Sequence, residues 1–198
     1  MADPNQEVLE ELRHGGRSML IEEVVSLLER THRGDRPGVS RETVTAYADA
    51  LEEDPEQRFD RETFHEELEA SLTDSDTWED PDSLYRIGDG HLSCYPPVWH
   101  GRLGGTTDVR AYVEFLQEEA PEFDDGFERG GAGEGIPQQP LLDVVATVGR
   151  VDRGVVKAEL KELRQRGELV EDADQHPNAG VMLRDDGGEQ YRDTSLDT

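Results

Sequence analysis

Both lysines of this chain and four of its arginines lie in one short segment: Arg150, Arg153, Lys157, Lys161, Arg164 and Arg166. Six basic and three acidic side chains give residues 150–166 a local net charge of +3, whereas the whole chain has a formal charge of −27. Clustered ammonium and guanidinium groups attract polyanions such as nucleic acid phosphates. The segment therefore predicts a phosphate-binding surface.

A helix over residues 152–166 would place these cations beside an apolar stripe. At about 100° per residue, four of them share one face within about 80°: Arg153, Lys157, Lys161 and Arg164. A neighbouring stripe is apolar and is expected to be buried: Val156, Leu160 and Leu163. Part of the charge also has a structural explanation, because cations near a helix C-terminus stabilise the helix dipole, and Glu159 and Glu162 can pair with them.

The segment 91–100 holds side chains that could act as nucleophile and base: His91, Ser93, Cys94 and His100. A cysteine nucleophile requires a base and an oxyanion pocket that separate elements supply. A strand over 91–95 places Cys94 on the face opposite to His91, so we expect Cys94 to be a buried small apolar side chain. We predict no catalytic residues and no enzymatic activity.

The sequence predicts no metal site, no cofactor and no disulfide. His65 has no second histidine four positions away, and the glycines of 126–135 lack the lysine followed by serine or threonine of a phosphate loop. Cys94 is the only cysteine, which excludes an internal disulfide. No apolar run approaches the roughly 18 residues of a membrane span and no signal-peptide run is present, so we expect a cytoplasmic protein without a membrane partner.

Three polar aromatic side chains accompany two consecutive prolines: Tyr95, Trp99 and His100. The prolines stiffen the backbone, and the side chains could form an exposed ledge that stacks on bases or docks a protein partner. In the alternative, Trp99 closes the seam between two structural units, since tryptophan is mostly buried in folded proteins.

The chain has 198 residues, of which 47 are acidic and 20 basic, and it has 20 glycines. This composition resembles that of proteins from organisms that keep molar salt in the cytoplasm. Because the Debye length in molar salt is about 3 Å, net acidity is evidence neither against nucleic-acid binding nor for a basic partner. High charge is also typical of disorder, but apolar residues recur at the spacing of packed amphipathic helices in 19–28, 44–51, 109–116, 141–148 and 155–163.

Three helices and a hairpin are predicted after an N-terminal arm (1–17), which is either a docking helix or a frayed segment. Apolar spacing indicates a helix after Ser18 and two more with Ser40 and Asp60 as N-caps. A Gly-Asp-Gly connection then joins two short alternating runs and predicts a hairpin within 83–96. Three helices followed by a hairpin is the order of a winged-helix unit, which we place at 18–104.

The same order repeats in residues 105–184. Thr107 is the predicted N-cap of a helix, and a glycine-rich linker follows at 126–135. Two further helices, the second being the basic one, precede two short extended runs that we interpret as a second wing. The tail 185–198 is acidic and expected to be disordered. The predicted fold is mainly α with small β wings (α+β): two winged helix-turn-helix units in tandem.

Core and turn positions of the second unit form a further pattern: Gly135, Ile136, Pro137, Leu141, Leu142, Gly149, Val155, Leu160, Leu163, Gly167 and Glu168. This pattern, which covers about 50 of the 198 residues, resembles the helix-turn-helix and wing of archaeal winged-helix domains, including the C-terminal domain of minichromosome maintenance helicases. As a whole the chain resembles haloarchaeal proteins with two winged-helix units in tandem.

We interpret the chain as a DNA-binding protein of transcriptional control or of replication and repair. In this hypothesis the basic helix enters the major groove of double-stranded DNA, where Arg153 and Lys157 meet base edges. Phosphate contacts are expected from Arg150, Lys161 and Arg164, and Arg184 on the second wing is expected to reach either a neighbouring phosphate or the minor groove. The first unit, whose third helix is acidic, would serve either to form a homodimer or to bind a protein partner. The alternative is a protein-protein interaction adaptor without direct DNA binding, similar to tandem winged-helix subunits that accompany chromosome-organising ATPases.

Overall fold

The computed structural model describes residues 4–15, 19–54, 59–120, 123, 135–172 and 179–184. Within these ranges the helices are α1 (Gln6–Gly15), α2 (Ile21–Thr31), α3 (Arg41–Glu52), α4 (Arg61–Ser71), α5 (Pro97–Leu103), α6 (Val109–Glu119), α7 (Gln138–Val148) and α8 (Arg153–Gln165). The strands there are β1 (Val39–Ser40), β2 (Leu72–Thr73), β3 (Leu84–Arg86), β4 (His91–Ser93), β5 (Ile136–Pro137), β6 (Leu169–Asp172) and β7 (Gly180–Leu183). The predicted linker, apart from Gly135, and the predicted tail lie outside the described residues.

Side-chain N-caps begin α3, α4, α6 and α8, and each accepts a hydrogen bond from a backbone N–H of the first turn. The predictions of Ser40 and Asp60 as caps are confirmed, and Asp152 caps the basic helix α8. The prediction of Thr107 is wrong, because α6 is capped by Asp108. A carboxylate at this place both accepts the first-turn N–H and interacts favourably with the positive end of the helix dipole.

The first sheet is built around the predicted hairpin. β3 and β4 pair antiparallel, and the turn between them uses left-handed backbone at Gly88, Asp89 and Gly90, with φ of 83°, 48° and 75°. The prediction of a hairpin within 83–96 is confirmed. Two strands that the sequence analysis missed complete the sheet in the order β1-β4-β3-β2. Each of them has two residues, which is too short for a recognisable alternating pattern.

The second half repeats the succession of elements of the first. In both halves a helix (α2 or α6) is followed by a short strand (β1 or β5), two helices (α3-α4 or α7-α8) and an antiparallel hairpin (β3-β4 or β6-β7). In both sheets the short strand pairs with the second strand of the hairpin, which gives the orders β1-β4-β3 and β5-β7-β6. In the described residues the protein is therefore mixed α+β with two small sheets.

Two apolar clusters form the interior of the described residues. One joins α1–α4 to the first sheet, and α1 contributes Val8, Leu9 and Leu12 to it. Residues 6–15 are therefore a docked helix and not a frayed segment. The second cluster joins α5–α8 to the second sheet and also takes Trp78, Tyr85 and Tyr95 from the first half. The interior of the second half thus continues across the boundary predicted at residues 104 and 105.

Trp99 lies at the centre of this junction and is only 2% exposed. Its ring stacks on Tyr95, with centroids 5.6 Å apart, and meets Phe115 and Phe123 edge-on at 5.8 and 5.3 Å. The exposed ledge predicted from Tyr95, Trp99 and His100 is therefore wrong, since all three side chains are buried. The reason is α5, which begins directly after Pro96 and turns this segment inward, so that Trp99 closes a seam between the two halves.

Candidate nucleic-acid interface

The basic helix α8 is anchored by the apolar stripe that its sequence predicts. Val156, Leu160 and Leu163 are 1%, 1% and 2% exposed, and the helix packs against α6 and α7. The predicted core position of Leu160 and Leu163 is confirmed. Burial of this stripe leaves the opposite face of α8 in contact with solvent, where Lys157 and Lys161 are exposed.

Lys157 and Lys161 are the cations of α8 that remain unpaired. Within the described residues, neither lysine forms a hydrogen bond or an ion pair, although both project from a helix of a very acidic chain. One nearby carboxylate is directed elsewhere, because Glu159 accepts a hydrogen bond from the backbone N–H of Val109 at 3.3 Å. The face therefore presents two ammonium groups that are available to an anionic ligand.

Two of the arginines predicted to contact DNA have partners on the neighbouring helix α7. Arg153 lies 2.9 Å from the carboxylate of Asp143 and donates to Gln139 at 2.6 Å. Arg164 donates to Gln138 at 2.8 Å. All three partners belong to α7, so the edge of the cationic face nearest to α7 joins the two helices. These acceptors were not predicted from the sequence, although their spacing in α7 places them on one side of that helix.

Arg150 has a different structural role, because its guanidinium donates to the carbonyl oxygens of Gly34 and Asp35 at 3.1 and 3.0 Å. These carbonyls follow α2, so Arg150 joins the second half to the first. Arg30 of α2 makes a second connection, an ion pair with Asp143 at 3.0 Å. Arg150 and Arg30 thus both connect the two halves at the seam.

Arg184 is exposed at the end of β7. Together with Arg110 and Arg166 it surrounds Glu168, which pairs with these two arginines at 2.7 and 2.9 Å. Three guanidinium groups around one carboxylate leave this small surface cavity with a positive charge. Arg110 belongs to α6 and was not among the predicted site residues, because only the folded chain brings it to the end of the second hairpin.

The helix of the first half that corresponds to α8 in element order is α4, and its charge is opposite. Glu62, Glu66 and Glu67 are exposed on it. Its cation, Arg61, pairs with Asp49 at 2.7 Å, while Glu69 pairs with Arg41 and Arg86. The two halves therefore present surfaces of unlike charge at equivalent positions.

Ser93 and His100 from the predicted reactive segment meet in a buried network with Glu29. The Ser93 hydroxyl lies 2.9 Å from the carboxylate of Glu29 and 2.8 Å from Nε2 of His100. Burial raises the pKa of Glu29 to about 7, and burial together with Arg150 lowers the pKa of His100 to about 4. Serine lies between acid and base here, whereas a serine nucleophile requires histidine in the middle position.

Two residues in and beside this network differ from what the sequence predicts. Glu29 was missed, although it follows the buried Val25 by four positions and therefore shares its helix face. Cys94 was predicted to be buried and is only half-buried. Its thiol donates to the carbonyl of Glu22 at 3.4 Å, and burial raises its pKa. His91 lies apart, with its ring against the carbonyl of Asp89.

The chain matches no protein-family model, no curated protein and no solved structure. None of the helices in the described ranges combines the length and the apolar character that crossing a bilayer requires. In the same part of the chain, no three His, Cys, Asp or Glu side chains are grouped as a metal ion would need.

Proposed function

We propose that each half is a winged-helix unit and that the protein binds double-stranded DNA through the second unit. Two observations support the fold assignment. The order helix, strand, helix, helix, hairpin occurs twice, and in each sheet the short strand pairs with the last strand of the hairpin. In helix-turn-helix proteins the second helix of the motif enters the major groove, and α8 has that place after α7.

The exposed pair Lys157 and Lys161 is the observation that carries the DNA-binding proposal. A chain of formal charge −27 has both of its lysines on the solvent face of the helix that would enter the groove. Neither is used within the described structure, unlike Arg153 and Arg164. Lysine ammonium groups contact phosphates as point charges, so these two side chains supply affinity rather than sequence preference.

Arg153 is the side chain that supplies sequence preference in this proposal. It lies in the first turn of α8, its side chain is 41% exposed, and its guanidinium already makes a hydrogen bond to an amide oxygen of Gln139. Guanine offers the same kind of acceptor in the major groove. The protein would then act where sequence-selective DNA binding is needed, in transcriptional control or in replication and repair.

Binding of fluorescent duplex DNA, followed by anisotropy over a range of NaCl concentrations, tests the proposal. The double variant Lys157→Glu/Lys161→Glu should bind at least about tenfold more weakly. The slope of the logarithm of its affinity against the logarithm of the NaCl concentration should decrease by the equivalent of roughly one to two phosphate contacts. The matched control is Arg36→Glu/Arg61→Glu, which changes the net charge equally on the first half. Equal losses of DNA affinity in both variants would show that the effect comes from the net charge of the protein and not from the position of the two lysines on α8.

A second candidate function is that of a protein-interaction adaptor, and the acidic α4 favours it. Glu62, Glu66 and Glu67 stand in place of the cations of α8 and would repel phosphates while attracting a basic protein segment. The same experiment separates the two functions. A folded wild type without affinity for duplex DNA at any salt concentration would contradict DNA binding and leave the adaptor function.

A further inference from the structure

A groove lies at the seam between the two halves. It is separate from the basic face of α8 and from the buried network around Ser93. It encloses about 560 Å³, within the range of roughly 300 to 1,000 Å³ that small-molecule sites occupy. Its walls come from α2, from the loop before β3, from the end of the first hairpin and from the start of α7. Inter-unit grooves of this size are common places for ligands.

The floor of the groove is apolar and largely aromatic. Trp78, Tyr95 and Phe123 line it together with Leu27 and Met19. The rings of Trp78 and Phe123 meet edge-on with centroids 5.2 Å apart, so this wall is held by the same aromatic contacts that close the seam. A rigid aromatic wall favours a ligand that itself carries rings.

The charge of the groove is negative. Glu22 lines it, is half-buried, and has no cationic partner among the described residues. Burial raises the pKa of Glu22, and the neighbouring carboxylates of Asp82, Glu23 and Asp80 raise it further. These groups repel one another, so a positive charge placed among them would be stabilised.

One cation, Arg30, lies at the edge of the groove, and it is paired with a carboxylate. Its guanidinium pairs with Asp143 at 3.0 Å, and Asp143 also binds Arg153. This triad of one acid and two arginines has a net charge of +1, which is smaller than the charge of the three glutamates that line the groove, Glu11, Glu22 and Glu23. The net charge of the groove is therefore negative, and it comes from Glu22 and the carboxylates around it.

We propose that this groove binds a lipophilic organic cation, with its rings against Trp78 and Tyr95 and its positive charge beside Glu22. The face of an aromatic side chain attracts a cation and also stacks with the rings of a ligand. The half-buried carboxylate of Glu22 supplies the counter-charge. The groove would reject an anion of the same shape. This site is independent of DNA binding by α8 and can be tested whether or not the protein binds DNA.

Tetraphenylphosphonium and tetraphenylborate are suitable probes, because they share size and shape and differ in the sign of their charge. Their binding is measured by isothermal titration calorimetry in 1 M NaCl, where the Debye length of about 3 Å screens the general attraction of an acidic protein for cations. The phosphonium should bind with a dissociation constant below the millimolar range. The borate should bind at least about tenfold more weakly.

Two variants locate the site. Glu22→Gln should weaken phosphonium binding about fivefold or more, because it removes the counter-charge and preserves the shape. Glu67→Gln removes the same charge from the exposed face of α4 and should leave the affinity unchanged. Ser26→Trp fills the groove from α2 and should abolish binding while the melting temperature shows that the fold is retained.

The proposal is overturned by any of three results. The phosphonium fails to bind the folded wild type, both probes bind equally well, or Glu22→Gln binds the phosphonium as tightly as Glu67→Gln does. The site is supported if Ser26→Trp no longer binds the phosphonium, and if Glu22→Gln binds it more weakly while Glu67→Gln binds it as tightly as the wild type.

Discussion

The hydroxyl of Ser93 lies 2.9 and 3.0 Å from the two carboxylate oxygens of Glu29, although 64 positions separate these residues in the chain. The hydroxyl has one proton to donate. If it donates to Glu29, it must accept from the backbone N–H of Tyr95 at 3.0 Å and from Nε2 of His100 at 2.8 Å. The network then joins α2, β4 and α5, and it carries one buried negative charge above about pH 7, where Glu29 is ionised.

The two titratable groups of this network respond to pH in opposite directions. The pKa of Glu29 is raised from 4.5 to about 7, so its contribution to stability is complete below pH 4.5 and is lost as the pH rises through 7. The pKa of His100 is lowered from 6.5 to about 4, so its contribution is present above pH 6.5 and is lost as the pH falls through 4. Between these limits the two effects offset each other.

We predict that removing either group exposes the pH dependence of the other. Glu29→Gln should gain stability relative to wild type as the pH rises from 4.5 to 7, and His100→Gln should lose relative stability from pH 4 to 6.5. Each difference should reach roughly 3 kcal/mol across its window. Urea unfolding midpoints at several pH values measure this, with Glu42→Gln on the surface of α3 as control. Parallel pH profiles for all four proteins would contradict the prediction.

Truncation of the stripe beneath the basic helix should be costly. Leu163 is 2% exposed in the second apolar cluster, and Leu163→Ala should lower the free energy of unfolding by roughly 2 to 5 kcal/mol. Val155→Ala on the same helix is the control, because Val155 is 53% exposed and its truncation should change stability by less than about 0.5 kcal/mol. Chemical denaturation curves decide the matter. Equal small effects would mean that α8 is not packed on this stripe.

The ion pair between Arg30 and Asp143 should couple the two halves. Its side chains are 29% and 32% exposed and 3.0 Å apart, so solvent screens it and a coupling of roughly 0.5 to 1 kcal/mol is expected. A double-mutant cycle with Arg30→Gln and Asp143→Asn measures this coupling. The exposed pair of Arg36 and Asp89 serves for comparison and should give a smaller value. A coupling indistinguishable from zero would show that this ion pair does not help to hold the two halves together.

Gly38, with φ of 77°, precedes β1 and should tolerate no side chain. A Cβ at this position would lie 2.5 Å from the carbonyl oxygen of Leu92 and would also overlap Ile87. Gly38→Ala should therefore destabilise the protein by well over about 1 kcal/mol. Gly88, with φ of 83°, has open space around it, so Gly88→Ala should cost only about 1 kcal/mol. Thermal melting distinguishes them, and equal melting temperatures would contradict the close approach of β1 to the hairpin.

The sequence by itself determines the elements whose signals are local. Ser40 and Asp60 predict where α3 and α4 begin, because an N-cap acts on backbone groups two or three residues away. Left-handed backbone at Gly88 and Gly90 specifies the first hairpin within a few residues. The apolar stripe of α8 specifies which side of that helix is buried, since helical periodicity is a property of the segment alone.

Only the tertiary structure decides which side chains of these elements pair with each other and which become buried between them. Arg153 and Lys157 are equivalent cations in the sequence, yet one is paired with Asp143 of α7 and the other is exposed. Trp99 was compatible with an exposed ledge until α5 and the ring of Phe115 placed it in the seam. Glu29 acquired its partners 64 and more positions away. Pairing and burial of this kind depend on distances between segments, and no pattern within one segment contains them.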